Sequence, residues 1–179
     1  MAKYSREEVL NEYDTRLKKE LSKGKPDTNH LHHMVFKEII RDCLTEELKA
    51  LGLSQIIETN TTLEVGVSEL FKSGKTKISL RIGDKILVKC NVYGFDYGND
   101  SGTKVKVIKK LADEKKFKLL YITLKEAKKP KKVGSKDFRK IGIKTFGKEY
   151  IFFLDEPESW QKFVDRVCFI LNIRIKSKI

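Results

Sequence analysis

Apolar residues recur at helical spacing through the first fifty positions of the chain. Val9, Leu10, Tyr13, Leu17 and Leu21 repeat every three or four residues behind Ser5-Arg-Glu-Glu8. The ends of that tetrapeptide have the spacing of a capping box, in which the hydroxyl takes an orphan N–H and Glu8 reaches back to the cap. The pattern predicts a helix as far as Gly24, stopped by Lys23-Gly-Lys-Pro-Asp27. A second stripe, Leu31, Val35, Ile39, Cys43, Leu44, Leu48 and Leu51, predicts a helix that begins near Asp27 to Asn29 and is closed by Gly52.

The period then changes from 3.6 to 2. Residues 61–67 alternate moderately, and residues 76–82 alternate clearly, with Ile78, Leu80 and Ile82 expected on one face. Gly83-Asp84 suits a two-residue hairpin turn. Ile86, Val88 and Cys90 then alternate with Leu87, Lys89 and Asn91. Beyond a loop over 93–102, Val105, Ile108 and Leu111 or Ala112 set an inward face for a helix over 103–116, with Lys106, Lys109 and Lys110 outward. Residues 117–124 are almost wholly apolar, as in a strand covered on both faces, and 150–154 read likewise. Residues 125–140 are too polar, and too broken by Pro130 and Gly134, to predict anything but a mobile basic loop. A last helix is expected after Asp155-Glu156, with Pro157 at its first position and Trp160, Phe163 and Val167 inward. The sum is an α/β chain with a mixed central sheet flanked by helices. We divide it into an N-terminal amphipathic helix and linker, 1–26, and an α/β domain, 27–179.

Composition narrows the function. The chain of 179 residues carries a formal net charge of +13. Residues 1–29 are nearly balanced, with seven basic and six acidic side chains, whereas 102–118 hold seven lysines against two acids and 125–140 eight basic residues against two acids. Charge gathered in two segments attracts polyanions. No run approaches the ~18 consecutive apolar residues of a membrane span. The start of the chain has no signal-peptide pattern, so an intracellular, cytoplasmic protein without a membrane partner is expected. Cys43, Cys90 and Cys168 each sit in an apolar run and are expected as buried thiols. His30, His32 and His33 precede no zinc-ligand spacing. The loop Tyr93-Gly-Phe-Asp-Tyr-Gly-Asn-Asp-Ser-Gly-Thr103 leads into a helix N-terminus, a ready anion site, and Asp100 is a candidate cap.

Helix, three-stranded meander, helix, strand is also the order of the PD-(D/E)XK, or restriction-endonuclease-like, superfamily, which the chain resembles from about residue 30 to 154. The text carrying the resemblance is Lys77-Ile-Ser-Leu-Arg-Ile-Gly-Asp-Lys-Ile-Leu-Val-Lys-Cys-Asn-Val92. That family places an Asp in the second strand and Glu-X-Lys about ten residues later in the third. In this register Ser79 stands at the Asp position, Lys89 at the Glu position and Asn91 at the Lys position. The resemblance implies a restriction-endonuclease-like αβββαβ core that binds double-stranded or structured DNA, and it leaves a homodimer open. Cleavage in the family needs carboxylates to hold Mg²⁺, a hard cation that activates water. Ser79 is a weak ligand, Lys89 repels a metal and Asn91 is no base, so an inactive or accessory nuclease-like subunit is expected. Displaced acids would instead give an active Mg²⁺-dependent endonuclease. Glu64 and Glu38 are the first candidates for that role, followed by Asp84, Asp96, Asp100, Glu46 and Glu47. Phosphate contacts are expected from Lys104, Lys106, Lys109 and Lys110, and from Lys128, Lys129, Lys131, Lys132, Lys136, Arg139 and Lys140 in the basic segment. From a different class, the basic surface suits an acidic protein partner, with the N-terminal helix as docking element.

Overall fold

Ser5 closes its capping box, accepting the Glu8 N–H at 3.2 Å while the Glu8 carboxylate accepts the Ser5 N–H at 2.6 Å. This pair starts α1 (Arg6–Ser22) in the computed structural model, which describes residues 2–53, 57–68, 71–93, 101–125 and 138–172. The hydroxyl of Thr28 caps α2 (Asn29–Ala50) through the Leu31 N–H. α2 ends where the N–H groups of Gly52 and Leu53 return to Lys49 and Leu48, both at 2.9 Å, a closure that needs the left-handed Gly52 (φ 75°).

The remaining elements are β1 (Ile57–Glu64), β2 (Lys75–Ile82), β3 (Ile86–Tyr93), α3 (Ser101–Glu114), β4 (Lys118–Lys125), α4 (Phe138–Phe146), β5 (Ile151–Phe153) and α5 (Ser159–Ile170). Strands follow one another across the sheet in the order β1-β2-β3-β4-β5. The first two pairings are antiparallel; β3–β4 and β4–β5 are parallel. The sheet is mixed: a short turn joins the antiparallel β2 and β3, whereas α3 and α4 lie between the parallel strands β3, β4 and β5.

Two apolar layers sandwich the sheet. On one face Leu80, Ile82, Ile86, Val88 and Cys90 pack with side chains of α1, α2 and α5, with Phe36, Ile39, Trp160 and Phe163 fully buried. On the other face Leu87, Leu119, Tyr121, Ile151 and Phe153 meet Ile108 and Ala112 of α3 and Phe146 of α4. α1 belongs to the first layer through buried Val9 and Tyr13. All three cysteines are buried thiols, as their apolar contexts predict. Among the described residues no helix is long and apolar enough to cross a membrane.

Four local expectations change. The β2–β3 turn takes three residues, because Ile82 pairs with Ile86 and the Lys85 carbonyl is engaged by the first amide of β4, Lys118 N–H, at 2.8 Å. Ile78 does not join Leu80 and Ile82 but belongs to the opposite layer with Leu63 and Phe71. The change of side falls where Asn60 of β1 takes a left-handed φ of 56°, between the pairs Thr59–Leu80 and Thr61–Ile78. The end of the expected basic loop is helical, since α4 begins at Phe138 and is held to the sheet by Phe146. α5 starts at Ser159, two residues beyond Pro157, from a left-handed Glu158 (φ 60°).

Candidate functional site

β2 and β3 pair regularly only near their turn, through Leu80–Val88, Arg81–Leu87 and Ile82–Ile86. Beyond Leu80 side chains take over the bridging. Ser79 Oγ accepts the Cys90 N–H at 2.9 Å and lies 3.5 Å from the Cys90 carbonyl, standing in for a peptide group of the ladder. Lys89 Nζ donates back to the Lys77 carbonyl at 3.2 Å. A hydroxyl can accept one bond and donate another, which a ladder position demands, and an ammonium can only donate. Ser79 and Lys89 therefore fasten two diverging strands.

Asn91 lies on the same side of β3 as Leu87 and Lys89 by strand alternation, and is 7% exposed. Its Nδ2 donates to Tyr121 Oη at 3.0 Å. β4 runs parallel beside it in a register that sets Lys89 against Tyr121 and Asn91 against Thr123, which is fully buried. Tyr121 packs on Phe146 of α4, ring centroids 5.2 Å apart. A polar strip thus runs under α3 and α4 towards the carboxyl ends of two parallel strands, where α/β sheets commonly seat ligands. Tyr121 and Thr123 were not candidates from the sequence. The available signal was their polarity at alternate positions of an otherwise apolar strand.

The acidic candidates are distributed over several elements. Glu64 is exposed at the end of β1 and pairs with Lys75 at 3.8 Å. Glu38 is half-buried on α2, and Asp84 is exposed in the β2–β3 turn. Glu46 pairs with Lys3 at 3.1 Å and Lys49 at 3.0 Å. Glu47 is buried and accepts the amides of Lys3 and Tyr4 at 2.6 and 2.8 Å. Asp96 and Asp100 lie outside the described residues. No group of three or more His, Cys, Asp or Glu is placed to hold a metal ion among the described residues. Of the histidines, His32 on α2 meets Tyr13 Oη of α1 at 2.7 Å and Asp27, just before α2, at 2.6 Å. Burial pushes the thiols of Cys90 and Cys43 up to about 12 and that of Cys168 up to about 11, far from the range of a nucleophilic cysteine.

The basic candidates divide between elements. Lys106 and Lys110 are exposed on α3, whereas Lys109 is half-buried and pairs with Asp113 at 2.7 Å. Lys110 lies 3.9 Å from Glu114. Lys104 belongs to α3 and Arg139 and Lys140 to α4 by backbone. Lys128, Lys129, Lys131, Lys132 and Lys136 lie outside the described residues. Of the basic candidates, Lys106 and Lys110 of α3 are those whose side chains are described as exposed. Compared with family models, curated proteins and solved structures, the chain matches none.

Proposed function

We propose that this chain is an intracellular DNA-binding protein on a restriction-endonuclease-like core, in which the residues at the metal-motif positions serve the sheet. The helix, meander, helix, strand order supports the core, together with the parallel step from β3 to β4. The observation that carries the reading is the use of Ser79 and Lys89. Their polar groups bridge β2 and β3 through backbone partners, a structural duty incompatible with holding Mg²⁺ between them. The net charge of +13, with exposed lysines on α3, supplies the attraction for phosphate.

Binding is tested with a fluorescent 20-base-pair duplex titrated at several salt concentrations. Each lysine–phosphate contact adds about 0.9 to the slope of log affinity against log salt, so a steep decline between 50 and 200 mM is expected. An affinity unchanged over that range sinks the reading. For cleavage, supercoiled, linear and branched DNA are incubated with Mg²⁺ or Mn²⁺, and no nicking is expected. Metal-dependent nicking that disappears in Glu64→Ala or Glu38→Ala would establish an active endonuclease with displaced acids.

A further inference from the structure

β5 ends the sheet on one side, and among the described residues no strand lies beyond it. The Tyr150 carbonyl accepts the Tyr121 N–H, and the Leu154 N–H goes to the Thr123 carbonyl, both at 2.8 Å. Alternate residues of β5 thus face β4, and Ile151 between them turns its N–H and carbonyl to the open side. A cavity of about 590 Å³ is lined by Ile151, Phe152 and Phe153, by Ile143 of α4 and by Phe169 of α5. α4 packs on one face of the sheet and α5 on the other, so a cavity that touches both is a groove along the edge of β5.

The groove holds polar groups that await partners. Ser159 Oγ and Arg166 Nε line it, and among the described residues both atoms are buried without a hydrogen bond. Ser159 is only 2% exposed. The two residues stand two turns apart on α5, roughly 10 Å, which is about the length of three extended residues. An added strand brings main-chain groups at that spacing. Phe169 is 69% exposed, yet the Arg166 guanidinium stacks on it at 5.0 Å and on Tyr150 at 4.3 Å, and Glu149 holds Arg166 at 2.6 Å. A free sheet edge beside apolar surface receives extended segments.

Charge and sequence select the segment. Lys148, Lys162 and Arg166 are matched around the groove by Glu149, Glu156 and Asp165, so a chain of net charge +13 is neutral here. Such a lining gives a polyanion no attraction and a basic segment no repulsion. α5 closes with the Asn172 N–H on the Phe169 carbonyl at 3.0 Å, one turn past the phenyl ring of the groove. Beyond the described residues follows Ile-Arg-Ile-Lys-Ser-Lys-Ile179, in which Ile173, Ile175 and Ile179 alternate with Arg174, Lys176 and Lys178. That is the period of a strand with one apolar face.

The chain's own groove suits this tail badly. β3, β4 and β5 step across the sheet with α3 and α4 on one face, whereas α5 packs on the other. A parallel strand laid by the same chain beyond β5 would cross with the opposite hand, and roughly 98% of such crossovers keep one hand. We propose that the groove takes residues 173–179 of a second copy, and that two copies exchange tails about a two-fold axis. Each tail starts beside its own groove, so the partner's groove lies within the ~23 Å reach of seven extended residues.

Sedimentation equilibrium of the full chain without nucleic acid, from micromolar to sub-millimolar concentration, tests the exchange. Wild type is expected to dimerise. Ile175→Asp in the tail and Phe169→Ser in the groove are each expected to weaken the dimer about tenfold or more, as loss of a central apolar contact does. Lys178→Ser is expected to leave it unchanged, and circular dichroism to show the same helix content in all four proteins. An equal mixture of Ile175→Asp and Phe169→Ser pairs an intact groove with an intact tail, so it is expected to associate more tightly than either variant alone. A wild-type chain that stays monomeric refutes the exchange. A dimer indifferent to both substitutions, or a mixture no tighter than its components, refutes it as well.

Discussion

Asn91 on β3 donates its amide to the hydroxyl of Tyr121 on β4 at 3.0 Å, inside the layer that α3 and α4 cover. The bond links two parallel strands through side chains as well as backbone. Tyr121→Phe keeps the ring against Phe146 and removes only the acceptor. A buried donor that loses its partner costs about 1–3 kcal/mol, and for a chain of this size each kcal/mol lowers the melting temperature by about 2–4 °C. Replacing both groups, as in Tyr121→Phe with Asn91→Leu, is expected to recover part of that loss. Urea unfolding of the two variants checks this, and a double variant no better than the single one would show that Asn91 is held by other groups.

Ser79 makes a comparable prediction with a local readout. Its hydroxyl takes the Cys90 N–H at 2.9 Å, where the β2–β3 ladder has already stopped. Ser79→Ala strands that amide, again at about 1–3 kcal/mol, and opens the strands further. Hydrogen exchange at Cys90 is expected to quicken more than at Val88, which lies within the regular pairing. Equal changes at both amides would mean that the hydroxyl does not bridge the strands.

The buried carboxylate of Glu47 fastens the start of the chain. It accepts the Lys3 and Tyr4 amides at 2.6 and 2.8 Å and the indole N–H of Trp160 at 3.0 Å. Hydrogen bonds to a charged group contribute about 1.5–3 kcal/mol each. Glu47→Ala leaves three donors without this acceptor, so a loss of about 3–5 kcal/mol is expected, with residues 2–4 released. Calorimetry gives the magnitude, and limited proteolysis near Lys3 reports the release. Glu47→Gln, which retains an acceptor oxygen, is expected to fall between wild type and Glu47→Ala.

Much of the fold was legible because its signals are local. The capping box at Ser5, the stripe of α2, the alternation of Ile86, Val88 and Cys90, and the apolar run around Leu120 each follow from spacing within ten or so residues. α4 was hidden because its nine residues include Gly142 and three basic side chains. What holds it is Phe146 against Tyr121, a contact across 25 positions that no periodicity reports. The change of side between Leu80 and Ile78 was hidden for a similar reason. It coincides with a left-handed Asn60 in the neighbouring strand, a backbone angle that no periodicity reports. At the candidate site, a resemblance drew attention to Ser79, Lys89 and Asn91, but the bonds that Ser79 and Lys89 make were not legible. Their partners are carbonyl and amide groups, which every residue carries and no sequence distinguishes.

The three cysteines give a prediction in pH. Burial raises the Cys90 thiol to about 12 from an ordinary value of 9.0, and Cys43 and Cys168 move the same way. The folded chain thus keeps protons that the unfolded chain releases above about pH 9. Stability from this source is complete below pH 9 and is lost as pH rises towards 12. Cys90→Ala removes one such group, while Lys and Tyr titrations are common to both proteins and cancel in their difference. The stability gap between wild type and Cys90→Ala is expected to narrow between pH 9 and 10.5, by up to about 1.4 kcal/mol per pH unit. Below pH 8.5 it should be flat. Urea midpoints under reducing conditions measure it, and a gap that stays constant to pH 10.5 would mean that the Cys90 thiol titrates alike in both states. In the same buffers iodoacetamide is expected to leave all three thiols unmodified at pH 8 until urea unfolds the chain, because the sulfurs are buried and held protonated.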